Sequence, residues 1–161
     1  MANITPSIAA VDGQGIATKA TEVAQLVAGK PYVYGGKTTD GFDCSGFVAH
    51  VLKQLYPNAA SAFETNVAGY MNSSLFEDVD EANRQPGDII IFPASGGAVN
   101  HIGFVLDADH WIGSQSSTGV AKVKFKNTYW GGRTKKYRRL KANSPSATTL
   151  GRMSMSFGAY A

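Results

Sequence analysis

The sequence predicts a segregated α+β domain in which helices come first and an antiparallel set of strands follows. Helical spacing of apolar residues is confined to the chain before Asn72, whereas continuous or period-2 apolar runs begin at Ile89. The two patterns do not alternate as βαβ units require, so segregated α+β is expected. With 161 residues, 43% hydrophobic and 17% charged, the chain is long enough for one domain with its own core. That domain is expected over residues 1–141, with 1–29 as a helical lead-in and 142–161 as a polar tail rich in Ser, Thr and Ala.

From Ala17 to Ala28 the apolar residues Ala20, Val23, Ala24 and Val27 recur at helical spacing, and Gly29 follows as a stop. Pro31-Tyr-Val-Tyr-Gly-Gly36 is too short and too glycine-bounded to be helical, and a polar loop from Lys37 to Gly41 follows it. Phe47, Val48, Val51, Leu52 and Leu55 then share one helix face that ends before Pro57, which puts Cys44 in the first turn. A further helix is expected over Phe63–Met71. Gln85-Pro-Gly-Asp88 reads as a turn before the short buried strand Ile89–Phe92. After a glycine-rich loop, Ser95 to Ala98, one strand runs from His101 to Leu106 and another starts at Trp111, joined by a tight turn at Asp107-Ala-Asp109. Val120 to Lys126 alternates apolar residues with lysines, the pattern of a strand with one wet face.

Charge is polarised along the chain. Residues 1–110 carry all twelve acids against five bases, and 111–161 carry ten bases and no acid. A one-sign field suits an anionic partner, although lysines also protect an edge strand from aggregation. No aromatic residues interleave with the lysines as in a nucleic-acid module, so no nucleic-acid partner is expected. No stretch approaches the roughly 20 apolar residues of a membrane span, so no membrane insertion is expected. The first twenty residues do not read as a Sec signal peptide, which leads to the expectation of a cytoplasmic start. One cysteine excludes an internal disulfide, and His50, His101 and His110 make no zinc-ligand spacing with it, so no metal or cofactor is expected.

Cys44 is the residue that points to chemistry. The thiolate is the reactive form of cysteine, and the amino end of a helix favours negative charge through its free N–H groups and dipole. If the His101 strand lies across that helix end, the imidazole takes the proton and an ion pair results. An inert core thiol is the plain alternative, but Asp43, Ser45 and Gly46 are poor neighbours for one.

Four ordered segments carry a resemblance: Pro31-Tyr-Val-Tyr-Gly-Gly36, Gly41-Phe-Asp-Cys-Ser-Gly-Phe-Val48, Gln85-Pro-Gly-Asp-Ile-Ile-Ile-Phe92 and Asn100-His-Ile-Gly-Phe-Val105. Together they resemble the signatures of NlpC/P60 cell-wall cysteine peptidases, and Asn127-Thr-Tyr-Trp130 and Tyr137-Arg-Arg139 resemble the segment that closes such domains. The resemblance spans roughly Lys30 to Lys141 and implies a papain-like core, with a nucleophile helix packed on a small antiparallel sheet. It implies a metal-free hydrolase that acts on peptidoglycan stem peptides, commonly at the γ-D-glutamyl–diamino acid bond. Carried over, Cys44 is the nucleophile and His101 the general base and then acid. Tyr32 orients substrate or intermediate, and Asp43 and Ser45 contact the stem peptide, with helix capping an equal role for Asp43.

The chain departs from this pattern at one place. Relatives usually carry a polar third residue twelve positions after the base, and here that position is Gly113, preceded by Ile112. Three outcomes stay open: a Cys–His dyad oriented by a carbonyl or water, a substitute from Ser114 or Gln115 after a local bulge, or lost activity. Gln115 is the better substitute, because its amide oxygen accepts a hydrogen bond and its side chain reaches further. A lesser resemblance, over His110-Trp-Ile-Gly-Ser114, is to amidase effectors delivered by type VI secretion. It implies an antibacterial role in a target periplasm and a cognate immunity protein as partner; phage lysis or tail enzymes would fit the same features. The competing functions are an inactive module that holds the wall, and a CHAP-type amidase or acyltransferase.

Overall fold

The computed structural model describes residues 7–142. Helix α1 (Gly13–Leu26) packs on α2 (Cys44–Leu55) and on the sheet. It starts earlier than the apolar spacing predicts because Gly13 and Gly15 hide its first turn. A methyl group on Gly13 would run into the carbonyl of Pro86, so that glycine lets the helix start dock on the Gln85–Asp88 turn. The segment Lys37–Gly41 is not a plain loop. Lys37–Thr38 (β1) pairs antiparallel with Gly41–Phe42 (β2), the strand that leads into α2.

Helix α2 runs as its apolar spacing predicts, burying Phe47, Val48, Val51 and Leu52 completely. Each such side chain contributes about 1.5–3 kcal/mol by leaving water. A 3-10 stretch, Pro57–Phe63, fills the segment before the helix expected at Phe63–Met71, and residues 64–66 of that expected helix are not helical. The helix that forms, α3 (Val67–Asn72), starts late because the Asn66 side chain accepts from the Gly69 N–H at 2.9 Å and caps it there.

Strands β3 (Phe76–Val79), β4 (Ile89–Phe92), β5 (His101–Val105), β6 (His110–Gln115), β7 (Gly119–Lys124) and β8 (Lys136–Leu140) form one antiparallel sheet in the order β3-β8-β4-β5-β6-β7. One face, with Ile89, Ile91, Ile102, Phe104 and Ile112, packs on the helices. The other buries Ile90, Phe92, Val105, Trp111 and Tyr137 in a second cluster, over which Trp130 of the short helix α4 (Thr128–Gly131) lies. Both faces of β4 are buried, as its four consecutive apolar residues predict.

Strands β3 and β8 are also missed by sequence patterning, and charge is the reason. The sequence Lys136-Tyr-Arg-Arg-Leu140 looks like a surface segment, yet β8 is interior to the sheet, between β3 and β4. Arg138 bonds Asp78 at 2.9 Å and the carbonyls of Tyr70, Ser73 and Phe76, while Arg139 forks onto Asp88 at 2.8 and 2.9 Å. Arg133 bonds the carbonyls of Pro93 and Val99. Part of the carboxy-terminal positive charge therefore holds the fold together, which narrows the expectation of an anionic partner to the exposed lysines. The polar tail lies, but for its first residue, outside the described residues.

Candidate active site

Two glycines and a carboxylate set the amino end of α2. The Gly36 carbonyl accepts from the Asp43 N–H at 3.0 Å, and a methyl group on Gly46 would collide with that same carbonyl. The loop from Pro31 to Gly36 is thereby held against the first helical turn. Asp43 caps the helix, its Oδ1 accepting from the Gly46 N–H at 2.6 Å, and Ser45 Oγ reaches the same oxygen at 3.5 Å. Capping is thus the structural role of Asp43.

Cys44 is half-buried and lines a cleft of about 490 Å³ together with Tyr32, His101, Ser117 and Trp130. Larger depressions, about 610 Å³ beside α1 and about 670 Å³ beside β3, contain neither the thiol nor the imidazole. Burial pushes the Cys44 thiol above the usual range and the Asp43 carboxylate adds to this, while backbone N–H groups of Ile102, Ser45 and Cys44 pull it down. Tyr32 sits close enough that burial and then the Cys44 and Asp43 charges push its hydroxyl up.

His101 opens β5 and is 6% exposed. Its ring lies 4.7 Å from the Trp130 ring, tilted by 32°, and meets Trp111 edge-on at 5.8 Å. Burial pushes its pKa down to about 4, with the bond from Gln115 acting upward and the charge of Arg133 downward. Both shifts favour an uncharged thiol beside an uncharged imidazole. Burial of the ring among aromatics and burial of the thiol both work against the ion pair expected from the sequence, opposing the help of the helix end.

Gln115 holds the imidazole. Its Oε1 lies 3.1 Å from His101 Nε2, and its Nε2 donates to Thr118 Oγ1 at 3.2 Å and to the Ala121 carbonyl at 3.4 Å. A backbone carbonyl only accepts, so the amide nitrogen must face Ala121 and the oxygen must face the ring. His101 is therefore protonated on Nε2, which leaves Nδ1 as the basic nitrogen of the neutral ring. No bulge is needed: β6 pairs with β7 without interruption from His110 to Gln115, and Gln115 shares the sheet face of Gly113. Ser114 points to the other face and donates to the Phe42 carbonyl at 2.8 Å, tying β6 to the strand before Cys44. His110 is the first residue of β6, half-buried and bonded to Asp107 at 3.0 Å. Among the described residues no group of three His, Cys, Asp or Glu side chains is placed to hold a metal ion. Sequence reasoning did not foresee Trp130 over the imidazole, Arg133 or Thr118 in this site; only Trp130 fell within a segment singled out beforehand.

A family model described as NlpC/P60 family matches residues 29–139. The chain belongs to the NlpC/P60 family. Among curated NlpC/P60 relatives, it is 33% identical over 113 residues to LytE of Bacillus subtilis strain 168, named a probable peptidoglycan endopeptidase, covering 70% of this chain and 31% of that protein. It is 31% identical over 103 residues to the probable endopeptidase NlpC of Escherichia coli K12, covering 63% of this chain and 64% of that protein. The murein DD-endopeptidase/LD-carboxypeptidase MepS of E. coli K12 is 28% identical over 116 residues, covering 72% of this chain and 58% of that protein. The chain thus spans from about a third to just under two thirds of the length of these relatives. Among solved structures, the NlpC/p60 domain of the peptidoglycan hydrolase SagA superposes with a TM-score of 0.58 at 26% identity, covering 78% of this chain and 97% of that one. A lipoprotein-like NLP/P60 protein of Staphylococcus aureus shares the fold with a TM-score of 0.61 at 24% identity, covering 86% of this chain and 45% of that one.

Proposed function

We propose that this chain is a cysteine peptidase that hydrolyses amide bonds in peptidoglycan stem peptides, with Cys44 as nucleophile and His101 as general base. The observation that carries this reading is that Cys44, at the amino end of α2, and His101, at the start of β5, line the same open cleft. Membership of the family and the names of its relatives support peptidoglycan as the substrate class.

In this reading Cys44 Sγ attacks the scissile carbonyl carbon as its proton passes to His101 Nδ1. The oxygen takes the negative charge, and N–H groups of the first turn of α2 stabilise it. As the tetrahedral species collapses, the C–N bond breaks, the imidazolium protonates the leaving amine, and a thioester remains. Water, deprotonated by the same imidazole, then releases the acid and the thiol. Gln115 keeps the ring oriented throughout. Tyr32 stands beside the sulfur to orient the substrate. Asp43 and Ser45, which flank Cys44, are assigned to the amino end of the stem peptide. The γ-D-glutamyl–diamino acid bond is the cleavage we assign.

The test is digestion of a defined crosslinked muropeptide by the parent and by Cys44→Ala, followed by mass spectrometry. New γ-D-glutamate and diamino-acid termini from the parent alone support the assignment. Cleavage only at a D-alanyl crosslink keeps the nucleophile and overturns the bond. Equal digestion by the alanine variant overturns the nucleophile, and binding of sacculi without any product leaves a wall-adhering module instead.

A further inference from the structure

Gly113 and Gln115 occupy one small volume between them. A Cβ built on Gly113 would lie 2.7 Å from Gln115 Oε1, the atom that accepts from the imidazole. Both residues project from the same face of β6, because side chains two apart on a strand share a face. The carboxamide therefore folds back along its own strand into the space that a side chain at residue 113 would fill. At the other end of the amide, Thr118 Oγ1, in the turn joining β6 to β7, accepts from its nitrogen and donates onward to the carbonyl of Gly119, the first residue of β7, at 2.9 Å.

We infer that Gln115 is the positioning residue of His101 by way of a vacancy: Gly113 provides the space its amide occupies, and Thr118 fixes which end of the amide faces the ring. This deepens the reading of Cys44 and His101 as a reacting pair and rests on it for its effect on turnover, but the geometry of the imidazole is a separate observable. The orienting group has moved two residues along the strand, and a glycine at 113 is a condition of that move. The backbone imposes no bar to a side chain there. Gly113 does not lie at positive φ, and its other near neighbours, Trp111 Cζ3 at 3.1 Å and the Ile102 carbonyl at 3.2 Å, need give only slightly. A methyl group at 113 is thus expected to displace Gln115 while leaving the fold intact.

The experiment compares Gly113→Ala, Gln115→Ala, the double variant and Thr118→Val on the full chain. Nitrogen-15 spectra of the His101 ring report its tautomer, and muropeptide hydrolysis reports kcat and KM separately. Gly113→Ala and Gln115→Ala should each lower kcat by about a hundredfold with little change in KM, as for a misplaced general base. The double variant should be no worse than the worse single one, and the Nε2-protonated tautomer should lose its dominance in each. In the Gln115→Ala background, Gly113→Asn should regain part of kcat by sending a carboxamide into the same volume from the other residue. The inference is overturned if Gly113→Ala keeps the parent tautomer and kcat within twofold, or if the two losses multiply. Thr118→Val decides the matter should Gly113→Ala fail to fold: a mixture of tautomers supports the clasp, and an unchanged ring overturns it. If the parent proves inactive on peptidoglycan, the ring spectra still report on Gly113 and Gln115 while the functional reading alone fails.

Discussion

Gln115 Oε1 accepts the Nε2–H of His101 at 3.1 Å, fourteen residues away in sequence, and the Ala121 carbonyl on the far side of the amide fixes the direction of that bond. The bond fixes the tautomer of the imidazole, while burial among aromatic rings favours its neutral form.

The first prediction concerns pH and stability. His101 is pushed down to about 4 in the folded chain, whereas an unfolded histidine titrates near 6.5. Between those values the unfolded chain binds a proton that the folded chain does not, so stability falls as pH drops through this window and is unaffected above it. The loss is about 3 kcal/mol at full extent. Urea denaturation at pH 7 and pH 4.5 should show most of that loss in the parent and not in His101→Gln; parallel declines in both would refute it.

Reactivity of the sulfur supplies the second. With burial and Asp43 raising the thiol, Cys44 of the free protein should be alkylated by iodoacetamide at a rate that keeps rising above pH 8.5. A reactivity plateau already reached at pH 6 would mean that the ion pair exists at rest.

Two substitutions at residue 43 separate its cap from its charge. Asn caps helices as well as Asp does, so Asp43→Asn should keep the melting temperature and lower the thiol pKa, speeding alkylation at pH 8. Asp43→Ala should lose about 1 kcal/mol by thermal denaturation. Slower alkylation in the Asn variant would remove the carboxylate from the account of the thiol.

The fourth lies in the sheet. Asp88 is 2% exposed and takes both bonds of the Arg139 fork, so Arg139→Ala leaves a buried carboxylate with only the Gln85 N–H and should cost about 3 kcal/mol in urea unfolding. Adding Asp88→Asn should recover part of it. If the single variant costs less than 1 kcal/mol, the pair does not hold β8 against the Gln85–Asp88 turn.

Local chemistry wrote several parts of this protein legibly into its sequence. The apolar face from Phe47 to Leu52, followed by Pro57, specified α2 and set Cys44 in its first turn, because helical periodicity and a terminating proline act within a few residues. Ile89–Phe92 announced a strand buried on both faces for the same reason. The ordered motifs around Tyr32, Cys44, Asp88 and His101 named the family, since each is a short local pattern.

Pairing partners and electrostatic environment were decided only by the tertiary structure. Strand β8 hides behind its own arginines until Asp78, Asp88 and loop carbonyls are brought to meet them. The sequence favoured Gln115 over Ser114 for its reach, but the unbroken β6–β7 register and the amide folded back onto His101 belong to the tertiary structure. The electrostatic surroundings of Cys44 and His101 were equally beyond the sequence. A helix end beside a cysteine predicts a thiolate, but desolvation depends on every atom that covers a group, and Trp130, Trp111 and Asp43 come together around the cleft only when the chain has folded.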